Sequence, residues 1–283
     1  MTFTGVFGGP ALFLARKAGV PTRIAWHRRS TPAHSQTFAR RLYSSFARRL
    51  LERSATSILS NSITALDQFH CAHWRSDDRF RVIRNGVDSQ RFRPDAAAGR
   101  VLKEELKLPA SCSVVGHVGR FDPAKDHETL FATVRRVLDA GASIRLLVAG
   151  TGTDSSSFQD RLRAHGLNDF TCCLGAREDV ERLYRAMDIF LFPSVTEGQP
   201  NALIEAMLSG VKIIASDISP IREAVPEFLF GHLFPPGDSV AAVALLSSAL
   251  EDGQGPDGRV RDWAVDRYDL RRNLDSVLEV MGL

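Results

Sequence analysis

The sequence predicts an α/β protein: a doubly wound parallel sheet in the C-terminal part, preceded by a second, less complete Rossmann-like domain. Three observations carry that reading. From residue 112 onward, short apolar runs alternate with segments of helical period. The runs are apolar on consecutive residues, as strands are when helices cover both faces of a sheet. And 283 residues, at roughly 150 per domain, make about two domains.

The elements follow in order. Apolar runs of strand length fall at Ser113–Val118, Ile144–Ala149, 170–174, Ile189–Phe192 and 212–215. Between the first two, Leu130, Phe131, Val134, Val137 and Leu138 form one helical stripe; Asp126 can cap that helix and Gly141 can end it. Leu183, Ala186 and Met187 keep a similar spacing. In the front part, 23–27 and 56–60 read as strands and 36–52 as a helix. On that helix Phe38, Leu42, Phe46 and Leu50 recur every four residues, and Arg40, Arg41, Arg48 and Arg49 fill another face. Two readings stand: a helix with its apolar face in the core and its basic side solvated, or one lying in a membrane surface or on an anionic acceptor. Asn85-Gly86-Val87-Asp88 marks a turn and a low-complexity stretch follows it. The expected division is therefore 1–92, 93–256, and a helix over 257–283 that returns to the first domain.

Composition excludes several classes. Hydrophobic residues make up 44% and charged ones 24%, an ordinary globular balance. No run approaches the ~18 apolar residues of a membrane-spanning helix, and the first twenty residues lack the layout of a secretory signal. Cys71, Cys112, Cys172 and Cys173 read as reduced thiols of a cytoplasmic protein. His70-Cys71-Ala72-His73 lacks the further ligands of a metal site and reads as a helix end. The net charge of +3 is unevenly spread: residues 1–100 hold 17 basic and 6 acidic side chains, the remainder 19 and 27. A basic front part suggests an anionic partner.

Two constellations carry chemistry. In Gly116-His117-Val118-Gly119-Arg120-Phe121, followed by Lys125, a buried strand ends in glycine and two cations follow. The carboxyl end of a parallel strand is where such folds bind ligands. A guanidinium fork and an ammonium both suit phosphate oxygens. In the second, 193–205, a strand runs into a glycine-containing loop and a helix starts near Pro200. A helix start attracts anions. Glu197 in the loop and Glu205 one turn into the helix, on the face of Asn201, can accept hydrogen bonds from hydroxyls. A ligand with a diphosphate, a ribose and sugar hydroxyls fits both.

The runs GHVGRFDPAKDHETL, LLVAGTG and LGAREDVERLYRAMDIFLFPSVTEGQPNALIEAMLSGVKIIASD, with VIRNGVDSQRF before them, resemble the retaining glycosyltransferases of GT-B fold often numbered family 4. The likeness is greatest to bacterial capsule and exopolysaccharide members and covers roughly residues 20–280. It implies that Arg120 and Lys125 bind the donor diphosphate, Gly119 beside them, and that Glu197 contacts the transferred sugar. Gly198, Gln199 and Asn201 would offer backbone contacts, Glu205 would hold the ribose, and Ala176 and Arg177 would lie near the base. It implies UDP as the carrier, no metal and no cofactor besides the nucleotide-sugar donor, and no nucleic-acid partner. The front domain departs from the pattern. It opens in what resembles the middle of the family's domain, Gly8-Gly9 is not the family's donor-covering loop, and the chain reads as truncated at its N-terminus. His27, at a strand end, is the nearest candidate for the family's acceptor-side histidine.

The resemblance thus implies transfer of a hexosyl group from a nucleoside diphosphate sugar to a hydroxyl, with retention. It places the protein in the cytoplasm, peripheral to the inner face of the plasma membrane, with a lipid-linked glycan as acceptor. The alternative is a degenerate nucleotide-sugar-binding protein without turnover. A nicotinamide oxidoreductase would need a full glycine fingerprint, and Gly150-Thr151-Gly152 is a lone pair of glycines.

Overall fold

The computed structural model describes all residues except Thr4, 29–36, Cys71, 254–256 and Leu283. The chain runs α1 (Gly9–Lys17), β1 (Ile24–His27), α2 (Phe38–Ser54), β2 (Ser57–Ser60), α3 (Ile63–Phe69), β3 (Phe80–Val82), α4 (Ala96–Glu105) and β4 (Ser113–Val118). It continues through α5 (His127–Asp139), β5 (Ile144–Ala149), α6 (Ser156–Ala164), β6 (Thr171–Cys173), α7 (Val180–Ala186), β7 (Ile189–Phe192) and α8 (Asn201–Leu208). It ends with β8 (Lys212–Ser216), α9 (Ser219–Ala224), β9 (Leu233–Phe234), α10 (Ser239–Glu251), α11 (Gly258–Tyr268) and α12 (Leu270–Met281). Two compact units result. Unit 1 is Met1–Gly86, Thr196–Gln199 and Leu270–Leu283; unit 2 is Val87–Val195 and Pro200–Asp269. The tail expected as one helix is two, α11 in unit 2 and α12 in unit 1.

Unit 2 is built on a six-stranded parallel sheet in the order β6-β5-β4-β7-β8-β9. Period-two alternation sends its apolar residues to both faces. Val114, Leu147, Phe190, Phe192 and Ile213 pack with Leu203, Ile204 and Met207 of α8. Val115, Leu146, Val148, Leu191 and Ile214 pack with Leu130, Phe131 and Val134 of α5 and Phe158 of α6. Asp126 caps α5, accepting from the Thr129 N–H at 3.2 Å, and Gly141 follows it at φ +92°. The strand order reverses between β4 and β7, because β5 and β6 lie on one side and β8 and β9 on the other. Such a switch point opens a crevice at the carboxyl ends of the two strands.

Unit 1 has a three-stranded parallel sheet, β1-β2-β3. Ala25, Ile58 and Phe80 face Leu12 of α1, Leu51 of α2 and Leu66 of α3. Ile24 and Leu59 face the other way, packed with Val277 and Val280 of α12. The helix expected over 36–52 is α2, and its Gln36 lies outside the described residues. Its expected core face is corrected. Phe38, Leu42 and Phe46 are exposed at 78%, 59% and 56%, and Leu50 is half-buried. The buried residues are Ala47, Leu51 and Ser54. The reason is close helix crossing: a Cβ on Gly9 of α1 would lie 1.9 Å from the Ala47 carbonyl oxygen. Ala47 therefore lies at the crossing with Leu51 buried one turn on, and the face of Phe38, Leu42 and Phe46 stays outside.

Candidate functional site

The loops that leave β4, β5, β6 and β7 are laced by backbone hydrogen bonds. The Gly119 N–H donates to the Ala149 carbonyl at 2.9 Å, Phe121 to Thr151 at 2.8 Å, and Gly150 to Gly175 at 2.7 Å. Gly150 has φ +142°, and a Cβ there would meet the Gly119 carbonyl oxygen at 2.0 Å. A side chain at that position would both strain the backbone and part the loops. On the other side of the switch point, the Val195 N–H donates to the Ala124 carbonyl at 2.9 Å. The loop after β7 is thereby tied to the 3-10 turn Pro123–Lys125 that carries the second cation. Two motifs 70 residues or so apart in the chain become one surface at the switch point.

The cations on that surface differ. Lys125 projects over the Phe192 ring, its Nζ 5.0 Å from the ring centre. Arg120 is exposed and forms no ion pair among the described residues. Beneath Lys125 lie two buried imidazoles. The His117 Nδ1 faces the Leu191 carbonyl oxygen at 3.0 Å, so Nδ1 carries the ring's proton. His127 packs edge-on against His117, with ring centres 5.0 Å apart. Burial, then the neighbouring His127, holds His117 well below its ordinary value. Burial, then the Lys125 charge, brings His127 down to about 4. Both rings are neutral at pH 7, which leaves the positive charge to Lys125 and Arg120.

The helix after the β7 loop begins at Asn201, one residue later than proline at the first helical position would give; Pro200 is its N-cap. Among the described residues no side chain caps it, and its start carries the positive end of the helix dipole. Asn201 is exposed and Glu205 half-buried. The Tyr184 hydroxyl of α7 donates to Glu205 Oε2 at 2.9 Å. Burial pushes the Glu205 carboxyl up to about 7, against the pull of Tyr184 and Arg91. A carboxyl half-ionised near neutral pH, held by one fixed donor, is suited to accept hydroxyls. Tyr184 escaped the sequence reading because nothing local distinguishes it from the apolar stripe of α7. The signal, a phenol reaching a carboxylate 21 residues away, exists only in the fold.

The other expected residues lie as follows. Arg177 is held by Asp179, its Nε and Nη2 donating to the two carboxylate oxygens at 2.8 and 2.6 Å. Its guanidinium is thus engaged within its own loop. Glu197, Gly198 and Gln199 sort with unit 1. The Gln199 side chain grips the backbone of Asn85: Oε1 accepts from the Asn85 N–H at 2.9 Å, and Nε2 donates to its carbonyl at 3.1 Å. His27 ends β1 in unit 1, 1% exposed, with its Nε2 3.1 Å from the His70 Nε2. His70 also faces Glu52, and Cys71, part of the His-Cys-Ala-His run, lies outside the described residues.

Residues 112–252 match the family described as glycosyl transferases group 1. The chain is 31% identical over 140 residues to EpsF of Bacillus subtilis, covering 50% of this chain and 36% of that one. It is 29% identical over 236 residues to the D-inositol 3-phosphate glycosyltransferase of Saccharomonospora viridis, covering 76% and 52%. The chain therefore spans about half the length, or less, of these relatives. Its fold matches the crystal structure of Anabaena Alr3699/HepE in complex with UDP with a TM-score of 0.82, at 22% identity, over 98% of this chain and 75% of that one. The α/β architecture with parallel sheets is that of GT-B glycosyltransferases.

Proposed function

We propose, from the match of residues 112–252 to the family described as glycosyl transferases group 1, that this chain moves a hexosyl group from a nucleoside diphosphate sugar to a hydroxyl acceptor, with retention. The HepE structures contain UDP and UDP-glucose, which favours a UDP-linked donor here. The observation that carries the reading is the laced surface at the β4/β7 switch point. There the turn that carries Lys125 is tied to the loop after β7, that loop leads into the start of α8, and the Tyr184–Glu205 pair lies one turn along α8.

The difficult step in such a transfer is departure of an anionic diphosphate. Preorganised cations and helix N–H groups placed where that charge grows lower the barrier without reorganising. Arg120 and Lys125 do the charge work that a divalent ion does in other transferases, so activity persists in excess chelator. Glu205 accepts the ribose hydroxyls and Glu197 contacts the sugar. Calorimetry with UDP, GDP and NAD tests the reading: UDP or GDP binds and Lys125→Ala weakens it. Binding of NAD alone contradicts it. Donor binding without turnover marks the degenerate alternative.

The acceptor side is read from α2. Phe38, Leu42, Tyr43 and Phe46 form an exposed apolar stripe, continued by Phe7, whose ring stacks on Tyr43 at 5.8 Å. Arginines flank it in a region with 17 basic and 6 acidic residues. That combination suits the surface of an anionic membrane, where a lipid-linked glycan would be met. Flotation with anionic liposomes is expected to carry the chain in a salt-sensitive way. Unchanged flotation of Leu42→Glu/Phe46→Glu contradicts this use of the stripe.

A further inference from the structure

The two central strands of unit 2, β4 and β7, share little main-chain pairing. Among the described residues their partners are Val115↔Ile189 and Gly116↔Phe190, whereas β4 pairs with β5 over six residues and β7 with β8 over four. A side chain binds the pair at each end. At the amino end, the Val114 N–H donates to the Asp188 carboxylate at 2.7 Å, and the Asp188 N–H donates to the Val114 carbonyl at 2.9 Å. At the carboxyl end, one residue beyond the last partners, the His117 Nδ1–H donates to the Leu191 carbonyl at 3.0 Å. β4 runs on to Val118 and β7 to Phe192 without further pairing to each other, and there the crevice of the switch point begins.

Burial alone does not favour a histidine at this place. His117 is 0% exposed, and its Nε2 has no hydrogen-bond partner among the described residues. A buried polar atom left unpaired costs free energy that an apolar side chain of similar size would not. What the ring supplies in return is a donor at the point where β4 still reaches β7. It runs nearly parallel to the rings of Phe190 and Phe192, with centres 6.3 and 6.0 Å apart, which holds its orientation. A Cβ on Gly119 would stand 2.9 Å from His117 Nε2 and 3.3 Å from the stem of Lys125. Glycine thus lets the loop and the Lys125 stem settle onto the ring. A carbonyl oxygen can only accept, and Nδ1 keeps its hydrogen in the neutral and the charged ring alike, so this bond does not titrate. One further bond crosses the switch point beyond it, from the Val195 N–H to the Ala124 carbonyl. The ties of Gly119, Phe121 and Gly150 all lie on the side of β4, β5 and β6.

We propose that His117 is a positioning residue: it clamps β7 to β4 where their main-chain pairing ends, and so sets the spacing between the turn that carries Lys125 and the loop after β7. Being fully buried, it acts through Leu191 and the Val195–Ala124 tie rather than on a ligand. The link to nucleotide binding rests on the transferase reading; the clamp does not.

Amide hydrogen exchange in the full chain, wild type against three variants, tests the clamp. Leucine fills similar space without a donor. The asparagine amide nitrogen stands where Nδ1 does, and the glutamine amide reaches the place of Nε2 instead. His117→Leu is expected to speed exchange at Val195 by about tenfold, the worth of one hydrogen bond, while Gly119, Phe121 and Gly150 exchange as in the wild type. His117→Asn is expected to keep the Val195 rate near that of the wild type and His117→Gln to raise it, a contrast that decides the matter where the leucine variant does not fold. Faster exchange spread evenly over the four amides marks lost packing alone and overturns the proposal. So does unchanged exchange at Val195 in the leucine variant, or a glutamine variant that matches asparagine. In parallel, the calorimetric Kd for UDP is expected to rise by about threefold to tenfold in His117→Leu and to recover in His117→Asn. An unchanged Kd in the leucine variant overturns the positioning role. A wild type that does not bind UDP refutes the transferase reading, and the exchange pattern still decides the clamp.

Discussion

The two units secure their functional loops by different means. Unit 2 uses backbone hydrogen bonds: Gly119 to Ala149, Phe121 to Thr151, Gly150 to Gly175 and Val195 to Ala124. Unit 1 uses side chains: Glu52 to His70 to His27, and Gln199 to both polar groups of Asn85. Backbone lacing tolerates most side chains, demands glycine where strands approach, and does not titrate. Side-chain lacing is specific to the residues present and carries protons with it. A donor site built for charge is thus held by parts indifferent to pH, whereas the histidine end of β1 is held by parts that are not.

Acid tests the buried rings of both units at once. His27, His127 and His117 are neutral in the fold and are held below their ordinary value by burial. As the pH falls below about 6.5, the unfolded chain takes up protons that the folded one refuses. Stability is therefore lost on acidification, by about 1.4 kcal/mol per pH unit and ring, or about 4 kcal/mol for the three together between pH 6 and 5. Urea titrations across that window measure it, and a flat profile breaks the account of all three rings.

Lys125→Ala comes next. It is expected to cut kcat/KM by roughly 100-fold, about 3 kcal/mol, the worth of one preorganised charge contact. Its fold should survive, because the surrounding lacing is main-chain. Gly150→Val tests the lacing itself: strain at φ +142° and a clash with the Gly119 carbonyl should cost about 1–3 kcal/mol in stability and weaken UDP binding.

Glu205→Gln should separate stability from binding. The carboxyl is raised to about 7 by burial, so the fold carries a penalty that grows from pH ~4.5 to ~7 and is full above it. At pH 8 the amide should stabilise by about 1–3 kcal/mol while the Kd for UDP rises. Smallest of all, Phe46→Ser on the exposed stripe of α2 should change stability by no more than about 0.5 kcal/mol, yet reduce liposome binding.

The same difference explains what was legible in the sequence. In unit 2 the strands Ser113–Val118, Ile144–Ala149 and Ile189–Phe192 were placed to the residue, because each is a mostly apolar run of strand length ended by a turn. Arg120, Lys125 and Glu205 stood out because cations and carboxylates there punctuate such runs. Unit 1 yielded less. Its helix α2 has two apolar faces, and only the crossing of Gly9 against Ala47 decides which is buried. β3 here and β9 in unit 2, three and two residues long, are too short for periodicity to register. Tyr184, Glu52 and His70 act through partners distant in sequence, so no local pattern announces them.

The central claim is that the diphosphate of a nucleotide sugar docks at the switch point between β4 and β7. A crystal structure of the chain soaked with UDP-glucose tests it most directly. The account predicts phosphate oxygens within hydrogen-bond reach of Lys125, Arg120 and the first N–H groups of α8, with ribose hydroxyls on Glu205. Electron density for the nucleotide elsewhere, with that surface holding solvent, would contradict it.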